Sequence, residues 1–207
     1  MNVSATLNAF RLLRNPSLCL PHATVSTFND LPVPLSTAFG NAEADIRAVV
    51  LDKDNCFAVP KENVVYKPYT DIFDSLRTHY PPPHLLIVSN SAGTSSSDPL
   101  GTVSASLASA TNIPVLQHAT KKPGCGPQIL QHFLTAPGSR VTSADQIAVV
   151  GDRLFTDVML ANLMGSWSFW VKDGVVQSRN PFISWERKLP ERMMRYGFKA
   201  PLPRSRR

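Results

Sequence analysis

The aspartates Asp52 and Asp54 follow directly after a mainly apolar, partly β-branched run, residues 46–51. Alternate residues of a strand project to the same side, so the two carboxylates would lie together at a strand end. Carboxylates held this close raise each other's pKa unless a metal cation or an ammonium group compensates. The pair therefore predicts an acidic centre that needs a cation, a third carboxylate and a phosphate-like substrate.

Polar residues also follow three later apolar runs. They are Ser89 and Asn90 after the second predicted strand, Lys122 after the third, and Asp152 with Asp157 after the fourth. In an open parallel sheet, sites form in the crevice outside the carboxyl ends of the strands, so these side chains should converge with the aspartate pair. A single Asp-x-Asp pair is weak evidence, but the ordered set at four strand ends is hard to obtain by chance.

The elements that must position these residues alternate along the chain. Strands are predicted at residues 46–52, 85–88, 113–116, 146–150 and 166–171, and helices at about 70–80, 98–110, 127–134 and 156–165. Strands that alternate with helices predict an α/β fold with a doubly wound parallel sheet that is covered on both faces. The body, residues 45–184, is predicted to be one domain.

The four motifs resemble those of the haloacid dehalogenase (HAD) superfamily of phosphatases, over roughly residues 46–171. Residues 52–56 (DKDNC) are similar to its first motif, with Cys56 where threonine or valine is usual. Residues 87–90, Lys122 before Pro123, and residues 149–157 are similar to the other three. The DKDN wording and residues 28–32 (FNDLP) resemble the fungal mitochondrial phosphatidylglycerophosphatase branch of this superfamily.

The resemblance implies roles for the acidic residues. Asp52 would be the nucleophile that forms an aspartyl-phosphate, and Asp54 would be the general acid and base. Mg²⁺ would be bound by the carboxylates of Asp52 and Asp152 and by the backbone carbonyl of Asp54. These assignments imply a Rossmann-like HAD core that catalyses phosphate ester hydrolysis.

The resemblance also implies a phosphate-binding set. Ser89, the backbone of Asn90 and Lys122 would bind the phosphoryl oxygens, and Asp157 would orient Lys122 or metal-bound water. Alternatives remain for three positions: Lys121 could replace Lys122, Asp157 could only cap its helix, and Arg153 could be an exposed loop residue or touch the substrate. The cysteines lack a catalytic histidine partner and are interpreted as packing or surface residues.

The spacing of the motifs leaves no room for an inserted cap domain. Asp54 and Ser89 are 35 residues apart, and Ser89 and Lys122 are 33 apart, which one helix and one strand largely fill. An open site suits a large substrate, and the resemblance implies phosphatidylglycerophosphate, a step towards cardiolipin. A phosphatase of a soluble ester such as a nucleotide or sugar phosphate is the enzymatic alternative. An inactive, membrane-associated scaffold is the second.

The net charge of +6 lies entirely in the C-terminal segment, residues 185–207. Residues 186–207 contain 8 basic and 2 acidic residues, whereas the charges of residues 1–185 cancel, with 13 of each sign. A helix beginning at Pro190 would mix aromatic and basic residues, which suits an anionic lipid surface. The apolar residues could equally cover the sheet edge or a subunit interface. No nucleic-acid partner is expected, because the body has no basic groove.

The N-terminal segment and connector spans residues 1–44, and its first 29 residues contain no acidic residue. Residues 3–13 predict a short amphipathic helix, ended by Pro16. It could be a mitochondrial targeting segment, an interfacial anchor or a helix docked on the body. The resemblance implies a mitochondrial protein, peripheral on the matrix side of the inner membrane, and a homo-oligomer is possible.

Overall fold

A five-stranded, all-parallel sheet lies at the centre of the computed structural model, which describes residues 11–40, 44–176 and 181–204, with the backbone alone for residues 181–184. The strands are β1 (Ala23–Val25), β2 (Ala48–Leu51), β3 (Leu85–Ile87), β4 (Ile147–Gly151) and β5 (Trp167–Val171). Their order is β1-β5-β4-β2-β3, and every neighbouring pair is parallel. The predicted α/β fold with a parallel sheet is confirmed.

Helices connect the strands and cover both faces of the sheet. They are α1 (Thr70–His79), α2 (Thr102–Thr111), α3 (Gly126–Thr135), α4 (Met159–Met164) and α5 (Pro181–Arg195). Residues 52–122 are described without a gap, and α1 and α2 are the only α-helices in this range, so it contains no inserted cap domain. In the described part of the chain, no helix is both long and apolar enough to cross a membrane.

The alternation of strand β2 divides the core into two layers. Val49 and Leu51 pack on one side of the sheet with residues of α1 and α2, whereas Ala48 and Val50 pack on the other with residues of α3 and α4. All four residues of β2 are buried because both faces are covered. This burial fixes the strand end from which the first aspartate pair projects.

Two predictions about strands are wrong. The predicted third strand, residues 113–116, forms only an isolated bridge between Val115 and Ile87, because Pro114 has no N–H to extend a ladder. At the opposite edge, β1 pairs with β5 and lies within residues 1–44, where no strand was predicted. It has only three residues, none of them buried, so its pattern is weak.

Two helix starts also differ from the prediction. α2 begins at Thr102 rather than at Asp98, whose carboxylate accepts hydrogen bonds from the N–H groups of Val103 and Ser104 at 3.1 and 2.8 Å. Pro190 lies inside α5 rather than at its start. A proline inside a helix removes one hydrogen bond, and the buried residues Glu186 and Met193 hold α5 against the body on either side of it.

The predicted N-terminal helix, residues 3–13, lies mostly outside the described residues. Residues 11–14 are helical, and a short 3₁₀ turn, Pro16–Cys19, follows. Cys19 and Leu20 are buried with Leu154, Trp170 and Met193, so the described part of this segment packs against the body.

Candidate active site

The candidate site lies at the carboxyl ends of β2 and β4, where the strand order changes direction. Asp52 follows β2, Asp152 follows β4, and the backbone N–H of Asp52 donates to Val150 O at 2.9 Å. The chain leaves β2 for β3 on one side and reaches β4 on the other, and such a switch point opens a crevice. A cavity of about 460 Å³ lies here, lined by Asp52, Asp54, Asn55, Pro60, Asn90, Lys122, Asp152, Arg153, Thr156 and Val176.

Lys122 joins two of the predicted carboxylates at the cleft floor. Its Nζ makes a very short contact with Asp52 Oδ1. It also forms an ion pair with Asp157 Oδ1 at 2.6 Å, although the angles of this second contact are not those of a hydrogen bond. Its backbone N–H donates to Asn90 Oδ1 at 2.8 Å. Lys121 is exposed, so of the two lysines it is Lys122 that reaches the site.

Asp157 does more than cap its helix. Its Oδ2 accepts a hydrogen bond from Arg153 N at 3.1 Å, while its Oδ1 faces Lys122. Gly151 makes room for this carboxylate, because a Cβ at that position would lie 2.3 Å from Asp157 Cγ. The glycine of the Gly-Asp motif is therefore required by the close approach of the second aspartate.

The buried carboxylates carry more negative charge than Lys122 neutralises. Burial raises the pKa of Asp52 to about 8, and repulsion from Asp157 and Asp152 adds to it, although Lys122 acts in the opposite direction. Burial and Asp157 likewise raise the pKa of Asp152 to about 7. Asp157 and Asp52 outweigh the effect of burial at Lys122 and raise its pKa. The site thus favours an added cation.

The donor set fits a divalent cation. One carboxylate oxygen from each of Asp52, Asp152 and Asp157 lies within 4.8 Å of the other two, and hard divalent cations prefer such oxygen ligands. The cluster differs from the predicted ligand set, in which the backbone carbonyl of Asp54 took the third place. The three carboxylates can hold a divalent cation between the ends of β2 and β4.

A divalent cation should therefore stabilise the protein more at higher pH. Because the pKa values of Asp52 and Asp152 are raised on folding, the cation-free protein loses stability as the pH rises from about 4 to about 8. A saturating cation removes the repulsion, and we expect it to raise Tm by roughly 3–8 °C at about pH 8 and by much less at about pH 5.5. Thermal unfolding with and without EDTA measures this. An equal shift at both pH values would contradict it.

Asp54 has a different environment from Asp52. Its carboxylate accepts hydrogen bonds from Lys61 N at 2.8 Å and, over a very short distance, from Ser91 Oγ, and it forms a 2.8 Å ion pair with Lys53. Burial would raise its pKa, but Lys53, Ser91 and Lys61 outweigh this and lower it. The two aspartates of the pair are thus differentiated, with Asp54 held in the ionised form that can accept a proton.

The predicted phosphate-binding residues lie together beside Asp54. Ser89 Oγ is 3.5 Å from Asp54 Oδ2 and 2.9 Å from Ser91 Oγ, and it accepts from Ser91 N at 3.1 Å. Asn90 lines the cleft, and its side chain holds the backbone of Lys122. The structure therefore brings together every residue of the predicted site, while their roles stay predictions.

Two residues of the first motif were missed. Lys53 is 1% exposed, and its Nζ donates to Glu62 O at 2.9 Å in addition to its ion pair with Asp54. Asn55 donates to Asp152 Oδ2 at 2.9 Å and accepts from Val176 N at 2.7 Å. The signal for Asn55 was its residue type, since its φ of 64° is a left-handed conformation that asparagine tolerates.

The three cysteines are packing residues. Cys19, Cys56 and Cys125 are all free and buried. Burial raises the pKa of Cys19 and of Cys125 to about 11 and that of Cys56 well above its usual value. A thiol in this state is not a nucleophile, so the interpretation of these cysteines as non-catalytic agrees with the structure.

Comparison with known proteins gives the family of the chain. The model of the family described as mitochondrial PGP phosphatase matches residues 3–176. The chain is 49% identical over 189 residues to phosphatidylglycerophosphatase GEP4, mitochondrial, of Saccharomyces cerevisiae, covering 91% of this chain and 97% of that protein. It is 35% identical over 196 residues to the probable mitochondrial phosphatidylglycerophosphatase of Schizosaccharomyces pombe, covering 93% of each.

A more distant relative is an algal protein. Phosphatidylglycerophosphate phosphatase 1, chloroplastic, of Chlamydomonas reinhardtii is 32% identical over 168 residues, covering 81% of this chain and 58% of that protein. The resemblance stated from the four motifs is confirmed by these matches. The chain belongs to the mitochondrial PGP phosphatase family.

Proposed function

We propose that the protein hydrolyses phosphatidylglycerophosphate to phosphatidylglycerol and phosphate, and thus acts as a phosphoric monoester hydrolase in mitochondria. The observation that carries this proposal is the Asp52 carboxylate, which reaches an open cleft beside Lys122 in a chain that belongs to the PGP phosphatase family. The open cleft supports a substrate whose diacylglycerol part stays outside the site.

In the first chemical step, an Asp52 oxygen attacks phosphorus and forms an aspartyl-phosphate. The bond between phosphorus and the glycerol oxygen breaks. The negative charge of the bound monoester raises the pKa of Asp54 and protonates it, and Asp54 donates this proton to the departing oxygen. Ser89, the backbone of Asn90 and Lys122 bind the phosphoryl oxygens while their charge changes. The ammonium of Lys122 already touches Asp52, so it lies where that charge develops.

In the second step, water attacks phosphorus and releases inorganic phosphate, which restores the Asp52 carboxylate. Asp54, left ionised by the first step, takes the proton from this water, and its contacts with Lys53, Ser91 and Lys61 favour that ionised form. Mg²⁺ would be held by the carboxylates of Asp52 and Asp152, with the carboxylate of Asp157 or the backbone carbonyl of Asp54 as a third ligand, and it would neutralise charge on the phosphoryl group. Asp157 would keep Lys122 oriented toward Asp52.

The experiment that tests this function compares two kinds of substrate, each with Mg²⁺ and with EDTA. Phosphate release is measured from vesicles that contain phosphatidylglycerophosphate and from a panel of soluble nucleotide and sugar phosphates. We expect hydrolysis of the lipid, little hydrolysis of the panel, and loss of both in EDTA. A preference for the soluble panel would reject the lipid substrate, and full activity in EDTA would reject Mg²⁺.

We further propose that the protein lies on the matrix side of the inner membrane, through the C-terminal segment. Met193 is buried against the body, whereas Met194, Tyr196 and Phe198 are exposed beside basic side chains of α5. Tyr196 is 74% exposed. Exposed aromatic rings among arginines and lysines suit the headgroup layer of an anionic membrane.

Reversing two charges of this segment should weaken vesicle binding. Arg192→Glu combined with Arg195→Glu is expected to lower partitioning onto anionic vesicles by at least about 30-fold at low salt, since each basic residue contributes about 1 kcal/mol. The control pair, Lys67→Glu with Arg140→Glu, makes the same charge change elsewhere on the exposed surface. Vesicle co-sedimentation at two salt concentrations measures both pairs, and equal losses would contradict a specific lipid-binding face.

A further inference from the structure

Arg153 follows Asp152 directly and extends along the wall of the catalytic cleft. Its side chain is 39% exposed, whereas the side chains of Asp52 and Lys122 on the floor are 9% and 3% exposed. Arg153 therefore lies toward the outer part of the same cavity, beyond the position where a phosphoryl group would meet the nucleophile.

A buried glutamate from α5 fixes this arginine. Glu186 has a side chain only 3% exposed, and its Oε2 accepts from Arg153 Nε at 3.3 Å. Its Oε1 accepts from the backbone N–H groups of Leu154 and Phe155 at 2.7 and 3.3 Å. Because backbone donors hold one oxygen, Glu186 presents the other to Arg153 from a fixed position.

The backbone of Arg153 is fixed as well. Its N–H donates to Asp157 Oδ2 at 3.1 Å, and its carbonyl accepts from Asp157 N at 2.9 Å. A cation held at both the backbone and the guanidinium loses little conformational freedom when it binds an anion. Among the described residues, its two terminal amino groups donate no hydrogen bond, so they are available to a ligand in the cleft.

The other cations near the cleft already have partners. Lys122 contacts Asp52 and Asp157, and Lys53 is buried against Asp54. A phosphatidylglycerophosphate molecule carries two phosphorus groups, a terminal monoester and a phosphodiester, separated by one glycerol. With the monoester on the floor, the diester lies outward along the cleft wall.

We propose that Arg153 binds the phosphodiester of the substrate and that Glu186 positions Arg153 for this contact. The inference rests on the proposed function and assigns the residue that selects this substrate over monoesters lacking a second phosphate. A guanidinium presents a planar fork of donors that matches two phosphate oxygens, which a lysine cannot reproduce. Arg153 is thus a specificity-determining residue, and Glu186 is a positioning residue.

The test uses the full chain and two soluble substrates, dihexanoyl phosphatidylglycerophosphate and glycerol 3-phosphate. Both carry a glycerol monoester, but only the first carries the diester, and its short chains remove the need for a membrane. Arg153→Ala should lower the ratio of the two kcat/KM values, lipid over glycerol 3-phosphate, by about 30-fold, mainly through KM. Arg153→Lys should lower it by an intermediate factor.

Glu186→Gln keeps the oxygen that accepts from the backbone but loses the charge that holds the guanidinium. We expect it to raise KM for the lipid by roughly 3- to 10-fold with kcat little changed, which a general loss of folding would not produce. Equal losses on both substrates in Arg153→Ala would overturn the inference. If the unaltered protein does not hydrolyse the lipid at all, the proposed function fails instead.

Discussion

Asp52→Asn is expected to abolish phosphate release from phosphatidylglycerophosphate, with a loss of at least about 10⁴-fold. The amide is a poor nucleophile and cannot form the aspartyl-phosphate. The fold should persist, because the substitution removes one of several repelling buried carboxylates and leaves Lys122 paired with Asp157. Phosphate release with Mg²⁺ measures the loss of activity. Thermal unfolding in EDTA measures the stability, and we expect Tm to change by only a few degrees.

A labelled-substrate experiment makes this result specific to covalent catalysis. Acid quenching during turnover should leave ³²P attached to the unaltered protein and none attached to the Asp52→Asn variant. Asp74→Asn is the matched control, since Asp74 is an exposed residue of α1 whose carboxylate pairs with Arg77 at 2.9 Å. Activity of the Asp52 variant within tenfold of the control would refute Asp52 as the nucleophile, whereas no activity in either the unaltered protein or the control would favour the inactive scaffold.

The strand ends could be predicted because two sequence signals coincide there. A fully buried strand such as β2 or β4 is a short apolar run, and the polar residue that interrupts it marks the crevice. Asp52 and Asp152 therefore appear in the sequence next to the elements that position them. The third predicted strand forms only an isolated bridge, yet its backbone still bonds to Ile87, so Lys122 arrives where the prediction placed it.

Two contacts could not be predicted, one because its residues are far apart in sequence and the other because it depends on the conformation of a turn. Glu186 and Arg153 are 33 residues apart, and a glutamate in a charged helix has the same pattern whether it is buried or solvated. In a continued strand, the side chain of Lys53 would point to the opposite side from those of Asp52 and Asp54. Its contact with Asp54 depends on the turn that follows β2, where Lys53 also bonds to Glu62.

The edge strand β1 was missed for an energetic reason. Central strands gain stability from burial on both faces, which demands apolar residues and so leaves a visible pattern. β1 is paired on one side only, and its residues are half-buried or exposed. Its position is instead fixed by tertiary contacts, such as the 2.8 Å hydrogen bond between His22 Nδ1 and Ser168 Oγ. Such contacts leave no periodic signal in the sequence.

Lys122→Met should affect both activity and stability, by amounts that depend on pH. Removal of the ammonium leaves Asp52 and Asp157 buried without their counter-charge, which costs about 3–5 kcal/mol when both are ionised. In a chain of this size, that corresponds to a Tm lower by roughly 6–15 °C at about pH 9.5, above the raised pKa of Asp52. Near pH 5.5 the loss should be much smaller, because the raised pKa of Asp52 lets a proton replace the lysine.

The neighbouring Lys121→Met is the matched control, since it removes the same charge from an exposed side chain of the same loop. We expect its Tm and activity to stay near those of the unaltered protein, whereas Lys122→Met loses about 10³-fold in kcat. Thermal unfolding of both variants at the two pH values, without added cation, separates the effects. A Tm loss for Lys122→Met that is independent of pH would show that the lysine is only a packing residue. A loss that disappears as Asp52 gains a proton would show that the ion pair with Asp52 balances the nucleophile's charge before substrate binds.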